Sequence, residues 1–129
     1  MPAAVRSDGV ASPRPQVWRI RDRATFDALR AGRRVRRGSV SVTFVAPLPT
    51  ARPEPPRVAF AVGKAIGGAV VRNRVRRRLR AAVRELQQHG RLPGGAYLLG
   101  GSGELARLPW SALVSDVDAA IIAATEGAG

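Results

Sequence analysis

The residues of this sequence best suited to chemistry are its arginines. The 129-residue chain carries 22 lysines and arginines against nine acidic residues, a formal charge of +13 at pH 7, and all but one of the basic residues are arginine. A guanidinium binds phosphate at two points and stacks on bases, which a lysine ammonium cannot do. The composition therefore favours a polyanionic partner, with nucleic acid ahead of a membrane surface.

The groups that most protein enzymes use are scarce. The absence of cysteine excludes disulfides, thiolate zinc sites, iron–sulfur clusters and thiol catalysis. His89 is the single histidine, which argues against a histidine-bridged metal site or a hydrolase triad. The acids are scattered, and only Asp116 and Asp118 form a close pair, in an acidic C-terminal region. We therefore expect no catalytic residue and no metal site on the protein itself.

The densest basic segment predicts a long helix from about 69 to 89. With 100° per residue, one face of this helix collects Val71, Val75, Leu79, Ala82, Val83 and Leu86. The opposite face, called the arginine ridge below, collects Asn73, Arg77, Arg80 and Arg84. Arg72 and Arg76 flank one border of the apolar stripe, and Arg74 and Arg78 flank the other. Because these like charges repel one another, a bound anion explains them better than a merely solvated helix surface.

The turn before this helix and one amide within it are further candidates for contact with a nucleic acid. Lys64 and the glycines Gly67 and Gly68 precede the helix, where backbone N–H groups and the positive helix end can face phosphate. An ordinary turn is an equal alternative. Asn73 could read a base edge, a sugar hydroxyl or a hydrated metal ion, or could instead cap the helix or orient its neighbours.

The remaining elements predict a small sheet covered by helices. A short helix over 22–31 is followed by strands at 39–47 and 57–63, which a proline-rich connector at 47–56 separates. After the long helix come a third strand, which begins at Gly94 and Gly95, and a last helix from Pro109. The order α-β-β-α-β-α predicts an α+β fold, a two-layer α-β sandwich. We expect one domain over 18–124, with disordered tails at 1–17 and 125–129.

The localisation follows from what the chain lacks. No run approaches the roughly 18 apolar residues that cross a bilayer. The first residues also lack the continuous apolar core of a secretory signal. We expect a cytoplasmic protein.

The segment from Lys64 to Arg77, KAIGGAVVRNRVRR, resembles the signature of the protein subunit of bacterial ribonuclease P. That signature is approximately K-[KR]-[IV]-G-[NK]-A-V-x-R-N-R-[IV]-[KR]-R, followed by a basic helix. Ala65 stands where a second basic residue is common, and Gly68 where asparagine is common. The early Arg19-Ile20 segment, Phe26 and the order of elements extend the resemblance over about residues 18–124.

The resemblance implies a protein that assists an RNA catalyst in removing 5′ leaders from precursor tRNA. It implies that the basic helix faces the ribonuclease P RNA, that a cleft between the first helix and the sheet holds the leader, and that the fold has a left-handed crossover. Mg²⁺ would be bound by the RNA, and the protein would be a monomer, one copy per RNA. The residues then expected to bind RNA are Lys64, Arg72, Asn73, Arg74, Arg76, Arg77, Arg80 and Arg84.

Single-stranded RNA is bound by aromatic platforms beside a basic track, which makes Phe26, Arg30 and Phe44 the candidates for the leader cleft. Core packing is the alternative for both phenylalanines. We assign Trp18, Phe60, Tyr97 and Trp110 to the core or its rim. The rival function is a stand-alone RNA-binding module such as a ribosomal protein. The preferred type of RNA, other substrates and association of two holoenzymes do not follow from the sequence.

Overall fold

A computed structural model describes residues 18–20, 22–47 and 55–128. Its strands are β1 (Trp18–Arg19), β2 (Arg34–Arg37), β3 (Val40–Val45), β4 (Pro56–Ala61) and β5 (Gly95–Gly101). Its helices are α1 (Arg23–Ala31), α2 (Ala69–Gln88) and α3 (Trp110–Ala128), with 3-10 turns at Lys64–Ile66 and Gly103–Ala106. The strands form one sheet in the order β1-β4-β5-β3-β2. β4 is parallel to both β1 and β5, while β3 is antiparallel to both β5 and β2.

The α+β class and the predicted succession of three helices and three main strands are confirmed. Two short strands, β1 and β2, were not predicted from the sequence, and they lie at the two edges of the sheet. The predicted disordered tail at 125–129 needs correction, because α3 continues to Ala128. The predicted tail at 1–17 and most of the predicted connector at 47–56 lie outside the described residues.

The main core lies between one face of the sheet and the helices α2 and α3. Alternate residues of each strand point into it, which is why Phe44 and Tyr97 are opposite one another across β3 and β5. From the helices come Val75, Leu79, Val83, Leu113, Val117 and Ile121, all almost fully buried. The packing of α2 and α3 against the sheet forms the α-β sandwich that the sequence predicts.

The other face of the sheet carries α1, and we call it the α1 face. Ile20, Leu29 and Ala96 form a small buried cluster there. The helix starts at Asp22, whose carboxylate accepts a hydrogen bond from the Thr25 backbone N–H at 2.9 Å. It ends at Gly32, after only nine helical residues. Among the described residues, such a short helix spans only part of this sheet face.

The helix α2 connects β4 to β5, two parallel strands that are immediate neighbours. A parallel pair requires such a crossover, and this one carries the basic helix across the core layer. The left-handed sense of the crossover stays a prediction. The topology exposes the outward side of α2 along its whole length.

Candidate nucleic-acid interface

The first turn of α2 has no capping side chain, so its backbone N–H groups stay open. Gly68 is the residue before the first helical turn, and no side chain accepts a hydrogen bond from the turn that follows. Gly67 has φ +148°, which side-chain-bearing residues rarely adopt, and a Cβ there would lie 3.2 Å from Val71. The exposed Lys64 lies in the adjoining 3-10 turn. This end of the helix can therefore accept an anion.

Three arginines at the borders of the apolar stripe bind backbone carbonyls. Arg74 Nε donates to the Ala106 oxygen at 2.8 Å, and Arg76 Nη2 donates to the Val62 oxygen at 3.2 Å. Arg78 donates to the carbonyls of Leu105 and Leu108. These guanidinium groups therefore fasten the segments on either side of α2 to the helix. A position on the helical wheel could not predict this, because the acceptors lie 14 to 32 residues away.

The outward arginines have different surroundings. Arg77 and Arg84 are exposed and have neither a hydrogen bond nor an ion pair within the described part of the chain. The Arg80 guanidinium carbon lies 5.6 Å from the centre of the Phe60 ring, a cation–π contact. Arg72 is half-buried, and its Nε is buried without a hydrogen-bond partner among these residues.

Asn73 lies on the exposed face among these arginines. Its side-chain oxygen accepts a hydrogen bond from Arg76 Nη1 at 3.2 Å. Asn73 is not the residue that caps α2, because Gly68 holds that position. Its amide N–H groups remain available to a ligand.

The carboxylates of the described residues do not neutralise this surface. The ion pairs found there join Arg23 to Asp27, Arg57 to Asp22, and Arg91 to Asp118. The hydrogen bonds from Thr25, followed by the charge of Arg57, lower the pKa of Asp22. No carboxylate pairs with an arginine between 72 and 84 within the described ranges, so the arginine ridge keeps its full charge.

The structure does not bring the three predicted leader residues into one cleft. Phe26 packs half-buried against the small cluster on the α1 face, and Arg30 is exposed one turn later. Phe44 lies on the opposite face, where its ring centre is 4.9 Å from that of Tyr97. In a strand, side chains of successive residues point to opposite faces, and this alternation places Phe44 in the core. Phe44 therefore packs against the core, which was the alternative that the sequence left open for it.

The α1 face also holds a shallow groove, and its lining includes the almost fully buried side chains of Ser41 and Thr43. Ser41, Thr43, Leu98, Gly100 and Arg34 are among the residues that line it. Gly100 keeps the groove open, because a Cβ there would lie 2.8 Å from the Ala61 carbonyl oxygen. These residues could not be predicted from the sequence, because small side chains at alternate strand positions form no recognisable pattern.

The remaining aromatic side chains range from buried to exposed. Tyr97 is fully buried and donates a hydrogen bond to the Pro93 carbonyl. Phe60 is half-buried against the core, and Trp110 is exposed at the start of α3. The side chain of Trp18 lies outside the described part of the structure.

Among the described residues, no three histidine, aspartate or glutamate side chains lie close enough together to hold a metal ion. No helix in the same ranges is long and apolar enough to span a bilayer.

Comparisons with known proteins give one consistent result. The family model described as Ribonuclease P matches residues 15–124. The ribonuclease P protein component of Thermobifida fusca is 44% identical over 117 residues, which cover 86% of this chain and 78% of that protein. The RNase P protein of Staphylococcus aureus has a similar fold, with a TM-score of 0.65 at 17% identity over 84% of this chain and 96% of that one. The RNase P protein of Thermotoga maritima also has a similar fold. Its TM-score is 0.64 at 19% identity, and the match covers 80% of this chain and 94% of that one.

Proposed function

Because this chain belongs to the ribonuclease P protein family, we propose that it binds the ribonuclease P RNA through the arginine ridge and assists removal of the 5′ leader from precursor tRNA. Its role is that of a subunit in an endoribonuclease holoenzyme. The observation that carries the proposed RNA contact is the set of outward arginines on α2 that no carboxylate of the described residues neutralises.

The ridge is suited to a phosphate backbone because the helix that carries its charges is held in place. Arg74, Arg76 and Arg78 hold the neighbouring segments and thereby keep α2 in position. Arg77, Arg80 and Arg84 then present their guanidinium groups along one side of a 20-residue helix. Lys64 and the uncapped first turn extend this surface at its N-terminal end. Each phosphate that such a surface neutralises releases a condensed counterion, which favours binding.

The groove on the α1 face is the proposed site for the single-stranded leader. Arg34, Ser41 and Thr43 line the groove, while Phe26 and Arg30 belong to α1, which packs on the same face of the sheet. A shallow trough of small side chains admits an extended strand, and the arginine of its lining can bind a phosphate. Phe44 has no part in this proposal, because it lies on the other face of the sheet.

In this proposal the protein supplies charge and position, while the RNA performs the hydrolysis with its own Mg²⁺ ions. The protein works in the cytoplasm as a monomer, one copy per RNA. The protein alone would cleave nothing.

Reconstitution tests the proposal. The protein is added to a bacterial ribonuclease P RNA at low Mg²⁺, and cleavage of precursor tRNA is measured with and without it. We expect cleavage with both components, weak cleavage with RNA alone and none with protein alone. Leader removal by a nuclease-free protein preparation would contradict the assignment of chemistry to the RNA. No stimulation by the protein would contradict the function itself.

A further inference from the structure

Trp110 is an exposed aromatic residue beside the arginine ridge. It is the first residue of α3, and 40% of its surface is exposed. Its side chain lines a depression that it shares with Arg74, Arg77, Arg78 and Ala81 of α2. A tryptophan that merely filled the core would not be left so open to water, because exposing a large apolar surface is unfavourable.

The segment that leads into Trp110 is held by α2. Arg74 and Arg78 donate hydrogen bonds to carbonyls of residues 105, 106 and 108, which lie two to five residues before the tryptophan. The Leu113 backbone N–H bonds to the Pro109 oxygen at 2.9 Å and closes the first turn of α3. The backbone that carries the indole is therefore held against α2 before any ligand binds, which lowers the entropic cost of binding.

The surroundings of the ring leave space for a ligand. Ala81 contributes only a methyl group to the depression, and Arg77 has no partner within the described residues. No guanidinium of that part of the chain lies over the indole, in contrast to Arg80 over Phe60. An open indole beside an unpaired guanidinium matches the two parts of a nucleotide, a base that stacks and a phosphate that takes charge-assisted hydrogen bonds.

We propose that Trp110 and Arg77 form a binding site for one unpaired nucleotide of the ribonuclease P RNA. The base stacks on the indole, and a neighbouring phosphate binds Arg77. This site rests on the proposed function, because it requires that the side of α2 bearing Arg77 faces that RNA. It adds base stacking to a surface that otherwise offers charge and the amide of Asn73.

Fluorescence tests the stacking directly. The chain has two tryptophans, so Trp18→Phe leaves Trp110 as the only one. Titration of this variant with the ribonuclease P RNA should quench the emission and protect it from acrylamide. Emission and acrylamide quenching that do not change while a filter assay shows bound RNA would overturn the proposal. The same titration with precursor tRNA alone should leave both unchanged, and quenching by that RNA instead would overturn the assignment to the ribonuclease P RNA.

Affinity variants test the site without relying on Trp18→Phe. Trp110→Leu should weaken binding of the ribonuclease P RNA by roughly 5- to 140-fold, the range for loss of one stacked base. Trp110→Phe should retain most of the affinity, because a phenyl ring still stacks. The matched control is Ile122→Ala, which removes a side chain of 39% exposure from the same helix, about 18 Å further along. This control should bind normally.

The outcomes separate this site from the function on which it rests. If Trp110→Leu binds as the unmodified protein does while Arg77→Ala weakens binding, the nucleotide site is wrong and the ridge stands. If the unmodified protein does not bind the RNA, the proposed function fails first. If Trp110→Leu and Ile122→Ala lose affinity equally, the effect is a general one of the helix, and the site is again wrong.

Discussion

Arg76 and Arg77 are adjacent in the sequence, yet their guanidinium groups have different surroundings. Arg76 donates to the Val62 carbonyl and to Asn73, whereas Arg77 points outward without a partner among the described residues. Removing the first side chain removes its hydrogen bond to the Val62 carbonyl, and removing the second only lowers the surface charge. For this reason Arg77 is the better probe of RNA binding, and Arg76 is a probe of stability.

Phe26 provides the residue-level test of leader binding on the α1 face. Phe26→Leu keeps an apolar side chain but removes the ring, and each stacked base is worth about 1–3 kcal/mol. We expect the holoenzyme to lose affinity for precursor tRNA and to keep its affinity for mature tRNA. The two dissociation constants, measured on folded variants, give the result.

Phe44→Leu is the matched control, since Phe44 is equally half-buried but lies on the opposite face. It should lower thermal stability without changing the ratio of the two affinities. If Phe26→Leu also left this ratio unchanged, the proposal of leader binding on the α1 face would have to be withdrawn.

Tyr97 gives a prediction for alkaline pH. Burial raises the pKa of its phenol well above the ordinary value of 10. The unfolded chain loses this proton near pH 10, whereas the folded chain holds it to higher pH, so stability is complete below about pH 10 and falls as the pH rises above it. Tyr97 is the only tyrosine, and its tyrosinate absorbance should therefore appear together with the loss of circular dichroism.

Tyr97→Phe should weaken this pH dependence, at a cost of about 1 kcal/mol at neutral pH for the hydrogen bond to Pro93. Tyrosinate absorbance that rises near pH 10 in a protein with native circular dichroism would show that the phenol is not protected.

At the scale of elements, α2 combines a buried stripe with a charged outer face, and the two can be separated by substitution. Arg77→Ala with Arg80→Ala should flatten the dependence of log affinity for ribonuclease P RNA on log salt. Each lost phosphate contact removes about 0.7–0.9 from the slope. The fold should persist because neither side chain is buried in the core, although the change at Arg80 also removes its contact with the Phe60 ring. Binding measured over a series of salt concentrations gives the slope.

Leu79→Ala is the comparison on the same helix. Leu79 is fully buried, and its truncation should cost about 2–5 kcal/mol through the cavity it leaves. An unchanged salt slope in the double arginine variant would place the RNA interface elsewhere on the protein.

The sequence predicts α2 well and β2 not at all, for physical reasons. The apolar residues of α2 recur with the helical period over 20 residues, and the observed helix ends within one residue of the predicted limit. The strand β2 reads RVRR, with only Val35 buried, and four residues with three charges carry no strand pattern. Its pairing with β3 creates the strand.

The candidate site shows the same division. Exposure of Arg77 and Arg84 follows from the helical period alone. Hydrogen bonds from Arg74 and Arg78 to residues 105–108 depend on the tertiary structure, and so does the separation of Phe26 from Phe44 by the sheet. The periodicity of one segment cannot predict its contacts with segments that are far away in the sequence.

At the scale of the whole molecule, the charge of +13 opposes folding through self-repulsion. Added NaCl screens that repulsion, with a Debye length of about 10 Å at 0.1 M and about 3 Å at 1 M. We therefore expect the Tm of the free protein, followed by circular dichroism, to rise with NaCl. The Arg77→Ala and Arg80→Ala double variant should show a smaller rise. A Tm that falls with salt would mean that the surface ion pairs outweigh the repulsion.

The edge strand β2 has a further consequence, for solubility. An edge strand offers unpaired backbone groups to any other strand that approaches, and long charged side chains discourage such pairing between molecules. Arg34, Arg36 and Arg37 are exposed on this edge. Their charge thus protects this border of the sheet against aggregation. Replacing the β2 arginines would expose a template for intermolecular sheet growth even where RNA binding did not change.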